Sequence, residues 1–372
     1  MRKQINIKAY ILFTGIVAMA LSMGCKTESK KKQIKEVLEV DVNLGAMIQP
    51  IPEYAVHKDS GYNVWGGSVV KSEDGTYHMF YARWPYRTGF QGWLKDSDIA
   101  YATAASATGP YTFKKVLLTG FGKGHWNEEA AHNPHIKKFD NKYYLYFISH
   151  KKEDLGLSDW MNHIFTQRIG VAIADNPAGP WEVLPEPLID YQEGKPAHGY
   201  MVNPSVVKTP EGKYLMMFKA RKPGAEKSGK FDPIHCLAVS DSPAGPFTIA
   251  EETLLTEATA EDPYVWYQNR KYYAVVKDMY AKYTGHKSLA LFQSEDGLNW
   301  KPSENILVSK TEIVWEGGDT TKVKNLERPQ ILFDEKGNPE VLFCAVREFD
   351  TEGNDPKPTY NVHIPLKNEL KQ

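Results

Sequence analysis

Beyond Pro50 the apolar positions fall into short, strand-length runs that come in pairs, each pair split by a polar turn. HIKKFDNKYYLYFIS, SVVKTPEGKYLMMFKAR and YVWYQNRKYYAVVKD share this form. Alternation with aromatic and β-branched residues marks strands, and the Asp, Asn and Gly turns between them predict hairpins. A short head opens each pair: Asn133-Pro134, Asn203-Pro204 and Asp262-Pro263. Two degenerate copies flank these, Gly67-Ser68 before VVKSEDGTYHMFYAR and Arg328-Pro329 before QILFDEKGNPEVLFCAVR. The heads recur at a period of about 65 residues, too long for a solenoid and suited to a four-stranded propeller blade with loops.

A second signature follows each of the first four heads: IAYATAASATGPYTF, IGVAIADNPAGPWEVL, LAVSDSPAGPFTI and LALFQSEDGLNW. An alternating strand breaks at Gly109, Gly179, Gly245 or Gly297, and an aromatic residue opens the next strand. Gly supplies the turn dihedrals, Pro fixes the next φ, and the aromatic ring is placed to pack between sheets. Each unit therefore holds two hairpins. A β-sandwich would not repeat two signatures in phase, so the chain is read as an all-β, five-bladed β-propeller over residues 38–372. The last unit is one strand short, and a segment between about Leu38 and Ile51 is expected to supply it, since closure removes exposed edges.

With 42% hydrophobic and 12% aromatic residues, the chain can bury one large core. Its formal net charge of −1 gives no bulk electrostatic case for a nucleic-acid partner. The N-terminus reads differently. Arg2, Lys3 and Lys8 precede an apolar run that ends at Gly24-Cys25, a signal-peptide pattern whose end resembles a bacterial lipobox. Residues 1–25 are thus expected to be a lipoprotein signal, with Cys25 lipidated, although Leu21 stands one position early for that motif. Residues 26–37 are charged and read as a solvated tether. The expected location is the periplasm or cell surface, on a membrane anchor, as a monomer. Cys236 and Cys344 lie in apolar runs of non-adjacent units and are expected to be buried free thiols, with no zinc-type spacing to histidines.

In a propeller the five heads meet at one mouth of the axial funnel. That brings together Gly67, Asn133, Asn203, Asp262 and Arg328, with Trp65, His132, Glu261 and Glu327 beside them. The ends of the second strands add Arg83, His150, Arg221, Lys277 and Arg347. Such a crowd of charge is costly unless a polar ligand uses it.

The pattern of heads resembles the five-bladed glycoside hydrolases of family 43 and its relatives, and the resemblance runs from about residue 50 to the end. It implies catalytic carboxylates on the heads and an oligosaccharide substrate, with no cofactor and no catalytic metal, though the funnel leaves room for a structural ion. The carry-over is incomplete. The family's first-head Asp is Gly67 here, and Asn133 and Asn203 stand where carboxylates are expected; Asp262 alone keeps the Asp-Pro form. Asp262 and Glu327 are the expected pair, at a separation suited to inversion, with Arg328 holding one of them ionised. His132 or His135 would then be the acid, with Glu128 and Glu129 as alternatives. Asn133, Asn203, His198, Trp65 and the arginines Arg83, Arg221, Arg328 and Arg347 are expected to bind substrate, the arginines reading a uronate or sulfate. The expected activity is exo-acting hydrolysis of anionic oligosaccharides. The competing readings are β-elimination at a uronate end, by a lyase or dehydratase, and sugar binding without turnover.

Overall fold

The computed structural model describes residues 41–224, 233–255, 260–350 and 357–367. The signal, Cys25 and the tether lie outside these residues. Among the described residues no helix is long and apolar enough to cross a membrane.

From Val42 onward the chain folds as a five-bladed β-propeller of four-stranded antiparallel sheets. Val56–His57 forms β1, which belongs to the last blade. Blade one holds β2 (Tyr62–Lys71), β3 (Tyr77–Pro85), β4 (Asp98–Ala104) and β5 (Thr112–Leu118). Blade two holds β6 (Glu129–Phe139), β7 (Lys142–His150), β8 (Arg168–Ala174) and β9 (Glu182–Val183). Blade three holds β10 (His198–Lys208), β11 (Tyr214–Arg221), β12 (Pro233–Ser240) and β13 (Thr248–Leu255). Blade four holds β14 (Ala260–Gln268), β15 (Lys271–Asp278), β16 (Leu289–Ser294) and β17 (Lys301–Ser309). A small hairpin, β18 (Glu312–Val314) with β19 (Thr320–Lys322), leads to blade five: β20 (Asn325–Phe333), β21 (Pro339–Arg347) and β22 (Tyr360–Pro365).

The strand that completes blade five is β1, not the segment between Leu38 and Ile51. Val56 pairs with Val362 and His57 with Asn361. The earlier segment cannot run straight along the sheet, because Leu44–Met47 forms a helical turn, α1, capped by the Asn43 side chain. Leu44 and Met47 are buried in a core with Val308, while Ile48 makes a single bridge to Leu366.

The second signature behaves as read. Gly109, Gly179, Gly245 and Gly297 all have positive φ, and the three Gly-Pro bonds are cis. Tyr111 of blade one packs on Phe343 of blade five, and Trp181 of blade two on Phe80 of blade one. Cys236 and Cys344 are buried and unpaired.

Near the axis each blade is stitched to the next by the residue two places after its head. Ile136 N–H donates to Ser68 Oγ (3.0 Å), Val206 N–H to His135 Nε2 (3.1 Å) and Val265 N–H to Ser205 Oγ (2.8 Å). Tyr264 Oη–H donates to the Ile331 carbonyl (2.7 Å), and Ser68 Oγ–H to Gln330 Oε1 (3.0 Å). The belt is closed. His135 is part of it, fully buried, with Nε2 accepting from Val206, so its Nδ1–H donates to Gln330 Oε1 (2.9 Å). Replacing His135 with Ala strands the buried Val206 N–H, at roughly 1–3 kcal/mol, leaves Gln330 Oε1 with Ser68 alone, and opens a cavity where the ring stood. The variant should lose about 3 kcal/mol of stability in urea unfolding; a loss below 1 kcal/mol would show the belt to be dispensable.

Candidate active site

Every first strand carries a two-residue bulge at its head, lying between Trp65 and Ser68, His132 and His135, Val202 and Ser205, Glu261 and Tyr264, and Glu327 and Gln330. The first residue of each bulge has left-handed φ: 63° at Gly66, 50° at Asn133, 57° at Asn203, 57° at Asp262 and 56° at Arg328. The head of blade one is therefore Gly66, and Gly67 occupies the position of the prolines. Non-glycine residues in this region cost of order 1–3 kcal/mol, a strain that clusters at functional sites. The bulge turns each head side chain off the sheet.

These side chains form a chain of bonds across the funnel. Asn133 Nδ2–H donates to Asn203 Oδ1 (2.8 Å), and Asn203 Nδ2–H to Asp262 Oδ1 (2.6 Å). Arg328 N–H donates to Asp262 Oδ2 (3.2 Å), and its guanidinium lies 3.5 Å from Oδ1. A Cβ on Gly66 would sit 3.4 Å from Arg328 Nε. The absent first-head side chain thus leaves the space that the fifth-head arginine uses.

Three carboxylates, Glu261, Asp262 and Glu327, bring one oxygen each within 4.8 Å of the others. Lys219 Nζ lies 2.7 Å from Glu261 Oε2, and Lys277 grips Glu327 Oε1, which also accepts from Asn325. With Arg328, three protein cations match three acids, so charge balance does not call for an ion. The acids are nonetheless unequal. Burial, then the neighbouring Glu261 charge, raises the Asp262 carboxyl, and these outweigh Arg328. Burial would raise Glu261 too, but Lys219 and Lys277 together hold it below its ordinary value. The expectation that Arg328 suits its neighbour to the base role is thus reversed for Asp262.

Above the acids lies a cavity of about 240 Å³. Its walls include Trp65, Trp84, Phe90, Trp93, Trp160 and Tyr200, and its floor the heads from Asn133 to Arg328. His132 joins the wall, stacked on Trp93 and with Nδ1 2.8 Å from Ser97 Oγ. Burial pushes it down to about 3, so it is neutral and cannot serve as a resident proton donor near neutral pH.

The structure gathers Asp262, Glu327, His132, Asn133, Asn203, Arg328 and Trp65 around this cavity. It takes other predicted residues elsewhere. His135 lies in the belt below. Arg83 pairs with Asp59 at 2.6 Å and is sandwiched between Tyr62 and Phe113. Arg221 is buried over Phe165, and His198 packs edge-on against Tyr191. Arg347 stacks on Phe90 at the rim with Asp350 3.7 Å away. Glu129 faces His163 instead of the cavity. Lys219, Tyr200, Phe90 and Trp160 line the cavity without having been singled out by sequence. Lys219 had a findable signal: it stands opposite Val202, the residue before a head, as Lys277 stands opposite Glu261.

Comparison with known families and structures places this geometry. The family model for the N-terminal domain of glycosyl hydrolases family 32 matches residues 133–356. Comparison with curated proteins gives no match. Among solved structures, the chain resembles a family 117 glycoside hydrolase produced by the marine bacterium Zobellia galactanivorans, at TM-score 0.57 and 18% identity, over 83% of this chain and 85% of that one. It also resembles an endo-arabinase from Bacteroides thetaiotaomicron, at TM-score 0.56 and 12% identity, over 86% and 98%. A family 43 enzyme from Xanthomonas citri gives TM-score 0.54 and 14% identity, over 88% and 93%. At these identities the structural likeness establishes the shared fold.

Proposed function

Because the chain belongs to the family of the glycosyl hydrolases family 32 N-terminal domain and is a glycoside hydrolase, we propose that it removes single terminal sugars from anionic oligosaccharides, with Asp262 as proton donor and Glu327 as nucleophile. The observation that carries this reading is the close carboxylate set on the floor of an aromatic cavity. A volume of about 240 Å³ lies below the usual 300–1,000 Å³ of ligand pockets, which suits one sugar ring. Stacking faces above and polar heads below suit a pyranose or furanose.

The acid spacing decides the stereochemistry proposed. Inversion needs carboxyl groups about 6.5–9.5 Å apart with water between them, whereas retention uses about 5–5.5 Å. The sequence leaves both outcomes open, and oxygens within 4.8 Å of one another lie nearer the closer spacing, which supports retention. Asp262 protonates the leaving oxygen while Glu327 attacks the anomeric carbon. The Asp262 carboxylate then takes a proton from water, which displaces Glu327. Asp262 and Glu327 stand on heads of neighbouring blades and reach the bond from two sides. Glu261 shares Asp262's strand and acts by holding that carboxyl protonated.

The anionic preference rests on Arg328, whose Nε and Nη1 are buried without a hydrogen-bond partner. When Asp262 is protonated its charge no longer offsets this guanidinium, and a uronate or sulfate supplies the missing anion. The full chain, assayed on matched neutral and anionic oligosaccharides, is expected to release one sugar per turnover from anionic substrates with retained configuration. Internal fragments would overturn the exo reading, and ultraviolet-absorbing unsaturated ends would replace hydrolysis with elimination. Lipidation of Cys25, proposed from the N-terminal pattern, would appear as a diacylglyceryl mass increment on that residue.

Glu261→Gln tests the positioning role. Removing its charge lowers the Asp262 carboxyl, so the alkaline limb of the kcat–pH profile should move to lower pH. An unmoved limb would show that Glu261 does not tune the acid.

A further inference from the structure

Glu129, His150 and His163 form a second cluster, on the other side of the cavity wall from the acids. His150 and His163 are 1% and 2% exposed. Glu129 opens β6 and pairs with His150 at the end of β7. His163 lies on a short helix in the blade-two loop, Asp159–Phe165. His163 Nδ1 is 3.1 Å and His150 Nδ1 4.0 Å from Glu129 Oε2.

The far ring nitrogen of His150 fixes where that ring carries its proton. His150 Nε2 lies 2.5 Å from the Leu94 carbonyl, an acceptor, so Nε2 holds the hydrogen and Nδ1 is a lone pair. His163 Nε2 has Asp159 Oδ1 3.6 Å away, beyond hydrogen-bond distance. All three inward atoms, both Nδ1 and Glu129 Oε2, are buried without a hydrogen-bond partner. Three buried, unpartnered ligand-type atoms therefore converge, an arrangement that costs free energy unless a proton or a cation occupies it.

We propose that Glu129, His150 and His163 bind a divalent transition metal of the zinc class. Two imidazoles with one carboxylate suit zinc and its neighbours and do not suit calcium or magnesium, which take oxygen ligands. Donor separations of 3.1 and 4.0 Å bracket the edge of about 3.4 Å implied by bonds of 2.0–2.1 Å in a tetrahedral site. The His150 hydrogen bond to the Leu94 carbonyl, and the Asp159 carboxylate beside His163 Nε2, are the kind of outer contact that orients ligating histidines. The metal pins the helix that also carries Trp160 and Ile164 into the cavity wall, so it holds one side of the sugar pocket in place.

The test is independent of the catalytic assignment. The full chain, stripped with a chelator and titrated with zinc alone, is expected to take up one ion per chain by calorimetry and elemental mass spectrometry. Its unfolding temperature should rise with zinc. His150→Ala, His163→Ala and Glu129→Gln should each weaken uptake by more than about 100-fold, and Asp159→Asn by about tenfold. Glu129→Gln keeps the side chain's size at a partly exposed position, so the folded variant decides the matter. Unchanged zinc affinity in that variant would overturn the proposal. So would equal affinity for calcium and zinc, or no uptake by the wild-type chain; the cluster would then be an ion pair of His163 with Glu129.

Discussion

Asp262→Asn is expected to lower kcat by about 10²–10⁴-fold, the usual contribution of a general acid, while substrate binding and the fold survive. Asn matches Asp in shape and still accepts one of the two bonds from Asn203 and the Arg328 backbone. It cannot give a proton. The loss should therefore depend on the leaving group: an aryl glycoside whose phenolate departs unaided should lose far less in the first step than a natural oligosaccharide. Wild-type activity should fall on the alkaline side as Asp262 ionises, because the acid must be protonated. Stability carries the same sign. A carboxyl raised in the folded state contributes stability that is complete below its unfolded pKa and lost as pH rises through the folded value. The wild type should thus lose stability relative to Asp262→Asn over that interval. Near wild-type rates on oligosaccharides for the variant would remove Asp262 from the chemistry.

Much of the fold was legible because it repeats. Two signatures in phase specify two hairpins per blade, and the heads mark where each first strand bends into the funnel. What escaped was parity. The sequence shows that cations end the second strands, but side chains alternate between faces, and the bulge at each head resets the alternation. Arg83, Arg221 and His150 consequently fall beyond the residues that face the heads, whereas Lys219 and Lys277 stand across from Val202 and Glu261. The same offset put the first head at Gly67 instead of Gly66, a difference visible only once the left-handed backbone is seen. His132 and His135 look alike around Asn133-Pro134. The bulge sends one to the cavity and the other to the belt. Trp160 arrives from the helix between the second and third strands of blade two, outside both repeated signatures, so those signatures did not announce it. The blade-five closure was expected on sound grounds, yet a capped turn at Leu44–Met47 moved the strand several residues later.

Glu327 should be the second residue whose loss is nearly complete. Glu327→Ala is expected to reduce turnover by about 10⁴-fold or more, as removal of a covalent nucleophile does elsewhere. The side chain is held by Lys277 and Asn325, contacts that aim it. Truncation leaves Lys277 near Glu261, which still supports its charge, so the fold should tolerate the change. Truncation also opens space where the carboxylate stood. Azide entering that space should restore turnover on an activated glycoside by a single displacement, giving a glycosyl azide of inverted configuration. The wild type, using two displacements, should release a sugar of retained configuration, read by NMR before mutarotation. Inverted product from the wild type would mean that water, not Glu327, attacks the anomeric carbon. Glu261, which the lysines hold ionised, would then become the stronger candidate for the base that activates it.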